Sequence, residues 1–405
     1  MPRVNPHILL WAREAAGLSQ EDAAEKLSVK AAYEKTPIER MEQWETGEVE
    51  PTRALLVKMA KQYRRPLLTF YMSEPPRKGD RGEDFRTLPD AVPASQNALV
   101  DTLLRQTRAR QSMVRDALIE AEEDQHLGFI DSITITTPIA RVKDGLNETF
   151  DIDIAEFRRK NSPTNAFKYL REKIEAKGVF VLLAGNLGSH HTNLPTEIFR
   201  GFALADDVAP FVVINDLDSK AAWSFTLLHE IVHLLLGETG VSGSRAETRI
   251  EKFCNDVASE VLFASEDIMT LFKGVDLTNL AQDDIQNIIS DYAAARNVSA
   301  SMLAYKLYRM NLLDERMWRV VSAAFRRFWV NARDDQRANR APNGTGPSYY
   351  RVKRHKLGSS LVNLVDRMMS AGVLSTTRAG KILDVGPKNV ANLFVRPIAI
   401  PAGRR

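Results

Sequence analysis

The sequence predicts an α+β fold that is mainly helical. It reads as an N-terminal bundle with a helix-turn-helix core, a central block with a small sheet, and a helical C-terminal region. Three observations predict this. Helix start and stop signals recur at short intervals over the first 72 residues. Runs of β-branched and aromatic residues cluster between about 179 and 215. Elsewhere, long stretches place apolar residues at helical spacing.

The 405 residues leave room for roughly two to four domains. With 44% hydrophobic and 26% charged residues, the composition is globular and excludes a mainly disordered chain. A net charge of +3 points to no partner, so local clusters must do so. The single cysteine, Cys254, excludes an internal disulfide and a cysteine metal cluster, and fits a reducing compartment. The opening "MPRVNPHILLWAREAAGLSQ" has a short apolar run broken by Arg13 and Glu14, unlike a signal peptide. No apolar stretch approaches the ~20 residues of a membrane helix. The expectation is a soluble, cytoplasmic chain without a membrane partner.

Taken in order, residues 1–74 form short helices. Pro6 opens the first and Gly17 follows its end; Ser19 caps the second, with Asp22 three residues on. Thr36 caps the third, with Pro37 at its first position and Gly47 as the stop, and Thr52 caps the fourth. Residues 75–95 are rich in Pro, Gly and charge and read as a linker. Residues 96–162 are a helical connector, with one long helix to about 126 and a less regular remainder. The block 163–330 holds a helix over about 164–177, a buried strand at "GVFVLLAGN", two strands around a polar turn at Asp206 and Asp207, and further helices. Within it Asn297 closes one helix and Ser299 caps the next. Residues 331–347 are a second linker, and 348–405 a helical C-terminal domain.

One helix of the central block, roughly 220–236, is apolar but for a few residues. In "SFTLLHEIVHLLLGE", His229, Glu230 and His233 form H-E-x-x-H. Burying two imidazoles and a carboxylate is costly unless something binds them. Positions i and i+4 share a helix face, so the two imidazoles are placed to grip one Zn²⁺, or Mn²⁺. Glu230 is placed to take a proton from a water at that ion. A catalytic zinc wants a third protein ligand. Leu236 and Thr239 stand where the longer H-E-x-x-H-x-x-G-x-x-H form has glycine and histidine, so a carboxylate is expected instead. Glu251 lies 18 residues after His233, with Glu247 one turn earlier as the rival and Glu260 more than two turns later. Asn255, one turn after Glu251, is placed to orient a ligand histidine.

These residues carry a resemblance. "RGFALADDVAPFVVINDLDSKAAWSFTLLHEIVHLLLG" followed by "EKFCNDVASEVLF" resembles the ImmA/IrrE family of zinc metallopeptidases. Arg200, Gly201, Asn215, Thr226, Leu227, His229, Glu230, His233, Glu251, Asn255, Ala258 and Glu260 match its motifs. Cys254 and Val257 stand where alanine and phenylalanine are usual, and Phe263-Ala264 where Met-Pro is usual. The resemblance implies a zincin-like domain with Glu251 as the third metal ligand. The N-terminal region is similar to the XRE-type helix-turn-helix domains fused to such peptidases. Together the two regions imply a protein substrate, often a helix-turn-helix repressor, cut in a stress, prophage or mobile-element response. The alternative is a non-catalytic DNA-binding regulator or antitoxin that uses the zincin fold for sensing or docking.

Other features leave alternatives open. The third helix carries Glu39, Glu42 and Glu45 against one Arg40, a poor surface for phosphate. Arg40, Arg53 and Lys58 are the candidate DNA contacts, with Arg3, Arg13, Lys61, Arg64 and Arg65 as further backbone cations. Protein docking or formation of a homodimer stands beside DNA binding. Residues 326–356 hold nine Lys or Arg and two acids, with Tyr349 and Tyr350 interleaved; this reads as a solvated face or a nucleic-acid patch. His190 and His191 read as loop residues, with one of them lining the cleft to steady an oxyanion as the alternative, and Cys254, Trp11 and Trp44 read as core. The hairpin of 198–215 is expected to offer a strand edge that a substrate peptide joins.

Overall fold

The computed structural model describes residues 3–76, 93–242, 249–275, 277, 280–338 and 348–394. They form two compact units. No helix among them is long and apolar enough to cross a membrane.

The smaller unit begins with four helices, α1 (Pro6–Ala15), α2 (Gln20–Leu27), α3 (Pro37–Thr46) and α4 (Arg53–Gln62), then a 3₁₀ turn at Leu67–Tyr71. Each helix starts on a side chain that satisfies a free backbone N–H. Asn5 caps α1 and Thr52 caps α4; Ser19 with Asp22, and Thr36 with Glu39, close capping boxes on α2 and α3. Gly47 ends α3 at φ +80°, where a Cβ would be strained. Ile8, Leu9, Met41, Trp44, Leu56 and Phe70 form the core. Trp11 packs against that core from a half-buried position.

Two charged residues of this unit are not on its surface. Arg13 Nε donates to Glu45 Oε1 at 2.6 Å, and a second guanidinium nitrogen reaches Oε2 at 3.0 Å. Gln20 and the Leu18 carbonyl complete this buried group. Arg13 is therefore removed from the set of phosphate-facing cations, and Glu45 from the acids of the α3 surface. Arg40 donates to the Lys30 carbonyl at 2.7 Å and lies over the Trp44 ring, which ties the α2–α3 connection to α3. That connection is long, and it turns through Tyr33 and Glu34 at positive φ. Arg53 and Lys58 are exposed on α4.

Helix α5 (Ala94–Glu120) divides between the two units near Thr107. The larger unit continues with α6 (Ile139–Phe150), α7 (Ile154–Arg158), α8 (Pro163–Glu175) and strand β1 (Phe180–Leu183). Strands β2 (Gly201–Leu204) and β3 (Phe211–Ile214) form the expected hairpin, in register from Gly201 opposite Ile214 to Leu204 opposite Phe211. The turn between them is held by Asp206, which accepts from the Val208 and Ala209 amides, and by Arg115, which binds Asp206 and Asp207. Helix α9 (Trp223–Leu235) follows, then β4 (Gly240–Ser242) and α10 (Arg249–Leu262).

The sheet order is β1-β3-β2-β4, with β1 parallel to β3 and the other pairs antiparallel. This corrects the expectation of a free edge on the hairpin. β3 is paired to β1 and β2 to β4, so neither hairpin strand has ladder groups left for a peptide. The outer strand β1 is also engaged, since the Val181 carbonyl accepts from Arg171 of α8.

Helix α9 lies on β2 and β3, with α8 and α10 packed beside it and α6 packed on α10. The stretch read as irregular between 127 and 162 thus contains the element that supports α10. Its apolar residues Val142, Leu146 and Phe150 recur every fourth position and are buried. Beyond α10 come α11 (Ser265–Leu271), α12 (Gln282–Ala294), α13 (Ala300–Arg309) and α14 (Glu315–Ala338). Asn297 adopts φ +58° at the end of α12 and its buried amide donates to the Lys160 carbonyl; Ser299 caps α13.

The C-terminal helices are α15 (Tyr349–Leu357), α16 (Ser359–Ser370), α17 (Thr376–Leu383) and α18 (Ala391–Phe394). They are held to the central block by a second buried ion pair. Arg171 and Glu175 are 5% and 6% exposed and bond each other at 2.9 Å. Arg171 also donates to the His355 carbonyl, and Glu175 accepts from the Ser359 hydroxyl and the Ser360 amide. Gly358 sits between, at φ +85°, where a Cβ would fall 2.2 Å from Glu175 Oε1. Removing one partner of a buried pair leaves an uncompensated charge, a loss of about 3–5 kcal/mol. Glu175→Ala is therefore expected to lower stability by about 3 kcal/mol. It should also speed amide hydrogen exchange in residues 349–394 more than in α9, as read by mass spectrometry.

Candidate metal centre

All side chains of α9 except that of Phe225 are buried. The helix forms because its residues suit a buried helix, with no proline or glycine from Trp223 to Leu235. His229 and His233 lie one turn apart on its face toward α10. Their Nε2 atoms are 3.2 Å apart. From α10, Glu251 brings Oε2 to 3.2 Å from His229 Nε2 and Oε1 to 3.3 Å from His233 Nε2. Three electron-rich groups from two helices meet in one small triangle.

The donor set and its size fit a divalent ion. A tetrahedral zinc with bonds of about 2.0–2.1 Å spaces its ligand atoms roughly 3.3–3.4 Å apart. The exposures are 3% for His229, 0% for His233 and 7% for Glu251, so water cannot compensate the gathered lone pairs. His229 Nδ1 is buried with no hydrogen-bond partner among the described residues. Burial alone would raise the Glu251 carboxyl, but hydrogen bonds and the charges of His229 and His233 outweigh it and hold the group at about 2. Glu251 is thus ionised and ready to ligate across the physiological range.

The remaining acids fall elsewhere. Glu247 lies outside the described residues. Glu260 is engaged by the Ser265 amide and hydroxyl and by Lys306. Cys254, read as core, is fully buried in the hydrophobic core, yet its Sγ lies within 4.8 Å of ring nitrogens of both His229 and His233. The sequence carries a signal for this: Cys254 is three residues after Glu251 and so shares its helix face. Asn255 lines the cleft at this site, and no hydrogen bond joins it to His229 or His233 among the described residues. His190 and His191 form part of a short 3₁₀ turn, His190–Thr192, in the smaller unit.

Glu230 is wholly buried on α9 beside the triangle. What lets it sit there is Gly201 at the start of β2. A Cβ on residue 201 would come within 2.6 Å of Glu230 Oε1 and 2.7 Å of Thr226 Cγ2. The missing side chain is therefore space used by the glutamate. Asn215, at the end of β3, locks the same end of the hairpin by donating to the Phe199 carbonyl at 2.8 Å.

The triangle opens on a cleft of about 480 Å³ in the larger unit, lined by His229, Glu230 and Glu251 among others. A volume of this size suits a peptide-sized or small-molecule ligand. Metal binding is the direct test. The purified chain is expected to hold about one divalent ion, as a three-ligand site does. His229→Ala and Glu251→Ala should each lose most of it, measured by elemental analysis after dialysis.

No curated protein and no solved structure matches the chain. Residues 175–308 do match a family model, the IrrE N-terminal-like domain of peptidase M78. The matched segment holds the four strands, both histidines, Glu230 and Glu251. Residues 175–308 are thus similar to a peptidase-M78-type domain.

Proposed function

We propose that the chain is a zinc-dependent endopeptidase that acts as a regulator, cleaving a protein substrate such as a helix-turn-helix repressor. The observation that carries this reading is the convergence of His229, His233 and Glu251 beside a cleft that His229, Glu230 and Glu251 line. The match of residues 175–308 to the peptidase model supports it. A sensing or docking use of the fold gives Glu230 no task, although the hairpin makes room for it at Gly201.

His229 and His233 would supply nitrogen donors to the ion, and Glu251 a carboxylate oxygen. When bound, zinc polarises a carbonyl and lowers the pKa of water to about 7. Glu230 accepts the proton of the attacking water at a carboxylate oxygen and passes it to the departing amine. Its burial keeps the carboxylate out of bulk water. The hairpin backbone at Gly201 fixes where that carboxylate lies.

The N-terminal helices supply the regulatory part of the proposal. With Arg13 and Glu45 buried against each other, the exposed cations Arg53 and Lys58 of α4 are the residues through which this unit would meet DNA.

Two variants test the chemistry. In the presence of Zn²⁺ and candidate repressors, the chain is expected to cut at least one of them. Glu230→Gln should lower turnover by about 10²–10⁴-fold, the usual contribution of a general base, with metal content unchanged. Equal cutting by this variant would end the mechanism. Gly201→Ala should displace the Glu230 carboxylate and lower kcat more than it raises KM, again with the metal retained.

A further inference from the structure

The metal cleft is lined by two unlike sets of residues. One, between 196 and 226, is mostly polar and includes Thr196, Arg200, Asp218 and Ser219. The other comes from α14, which starts seven residues beyond position 308, where the peptidase match ends. Trp318, Ser322, Phe325, Arg326 and Trp329 line the cleft from this helix. Their spacing of four, three, one and three places them on one helix face.

The aromatic stripe is built before any ligand arrives. Trp318 stacks on Tyr308 of α13, with ring centres 4.6 Å apart and planes 8° from parallel. It also meets Tyr305 edge-on at 6.1 Å. Packing therefore explains Trp318. Trp329, further along the same helix, is half-buried and lines the cleft. Phe325, one turn earlier, packs on the core with one side and lines the cleft as well.

Charge does not select the ligand here. Arg326 faces Glu197 at 4.0 Å, and Arg200 shares the lining with Asp218. Apart from Glu230 and Glu251 at the metal site, the two arginines of the lining are matched by Glu197 and Asp218. The hairpin edges are already paired, so strand addition to β2 or β3 does not select it either. What remains distinctive is an apolar, aromatic surface in the same cleft as the metal triangle.

We propose that α14 is the specificity element of the peptidase, and that Phe325 and Trp329 receive a large apolar side chain of an extended peptide next to the scissile bond. This rests on the peptidase reading above. The main chain of that peptide runs along the polar lining, where Arg200, Asp218 and Ser219 offer both donors and acceptors. A well-matched apolar pocket discriminates by roughly 10–200-fold per contact of this kind.

The test uses the zinc-loaded full chain and sets of end-blocked, quenched fluorogenic peptides that differ at one position, with Leu, Phe, Gly or Asp there. Leu or Phe is expected to be favoured in kcat/KM by about tenfold or more over Gly and Asp. Phe325→Ala and Trp329→Ala should reduce that preference to a few-fold, and Phe325→Leu should restore part of it. Metal content should stay the same in each. In parallel, zinc-loaded Glu230→Gln is titrated with fluorescein-labelled versions of the same peptides and followed by anisotropy. Cleavage with no preference, or with a preference that the two alanine variants leave intact, overturns the role of α14 and leaves the peptidase standing. Selective binding of Leu and Phe peptides without any cleavage supports the apolar wall and overturns the peptidase. A chain that neither binds nor cuts overturns both.

Discussion

The structure depends on two helices, α9 and α10, being held so that a carboxylate of one meets two imidazoles of the other. Side-chain atoms at 3.2–3.3 Å leave no slack: a shift of one ångström in either helix would separate the donors. The rest of the larger unit supplies that rigidity. The sheet lies beneath α9, with Gly201 shaped to the catalytic-candidate glutamate. Helix α6 backs α10, and α13 packs on its other flank. A site this deeply buried is expensive to build without an ion, since the imidazoles and carboxylate lose water and gain only one another. The cost is the physical reason to read the cluster as a metal site rather than as ordinary core.

Buried charge is used twice more, and both times it joins segments distant in sequence. Arg13 and Glu45 link α1 to α3 inside the N-terminal unit, with Gln20 of α2 as the third member. Arg171 and Glu175 sit on one helix but bind the α15–α16 turn, some 180 residues later. Hydrogen bonds satisfy the pairs on several sides, the condition under which a buried ion pair holds a specific arrangement. The second pair also occupies a carbonyl of the outer strand β1. Helix α15 packs on the same strand, so this edge of a small sheet, otherwise open to pairing, is covered.

The metal triangle and the cleft lining have different origins along the chain. The triangle lies inside the segment that matches the peptidase model, and much of the aromatic lining lies after it. On the proposed reading of α14, such a division would let the chemistry stay constant while selectivity changed by substitution on one helix. It follows from geometry, because α14 needs only to pack on α12 and α13 to reach the cleft.

Much of this was legible in the residues alone. Helix ends were readable because a cap is a local event: Ser19, Thr36, Thr52 and Ser299 each bond a backbone N–H three residues on. The two histidines and Glu230 were readable because i and i+4 neighbours on a helix need no tertiary information. Glu251 was preferred to Glu247 because Asn255 stands one turn on, placed to orient a ligand histidine, and the family resemblance agreed with that choice. Other features were invisible because they are set by what packs against what. Arg13 and Glu45 look like surface charges until α1 and α3 meet. The hairpin looks like a free edge until β1 and β4 pair with it. Gly201 looks like any turn glycine until α9 crosses it. Local periodicity and capping determine which elements form. Only the fold decides which buried polar groups face one another, because that depends on contacts between residues that the chain keeps far apart.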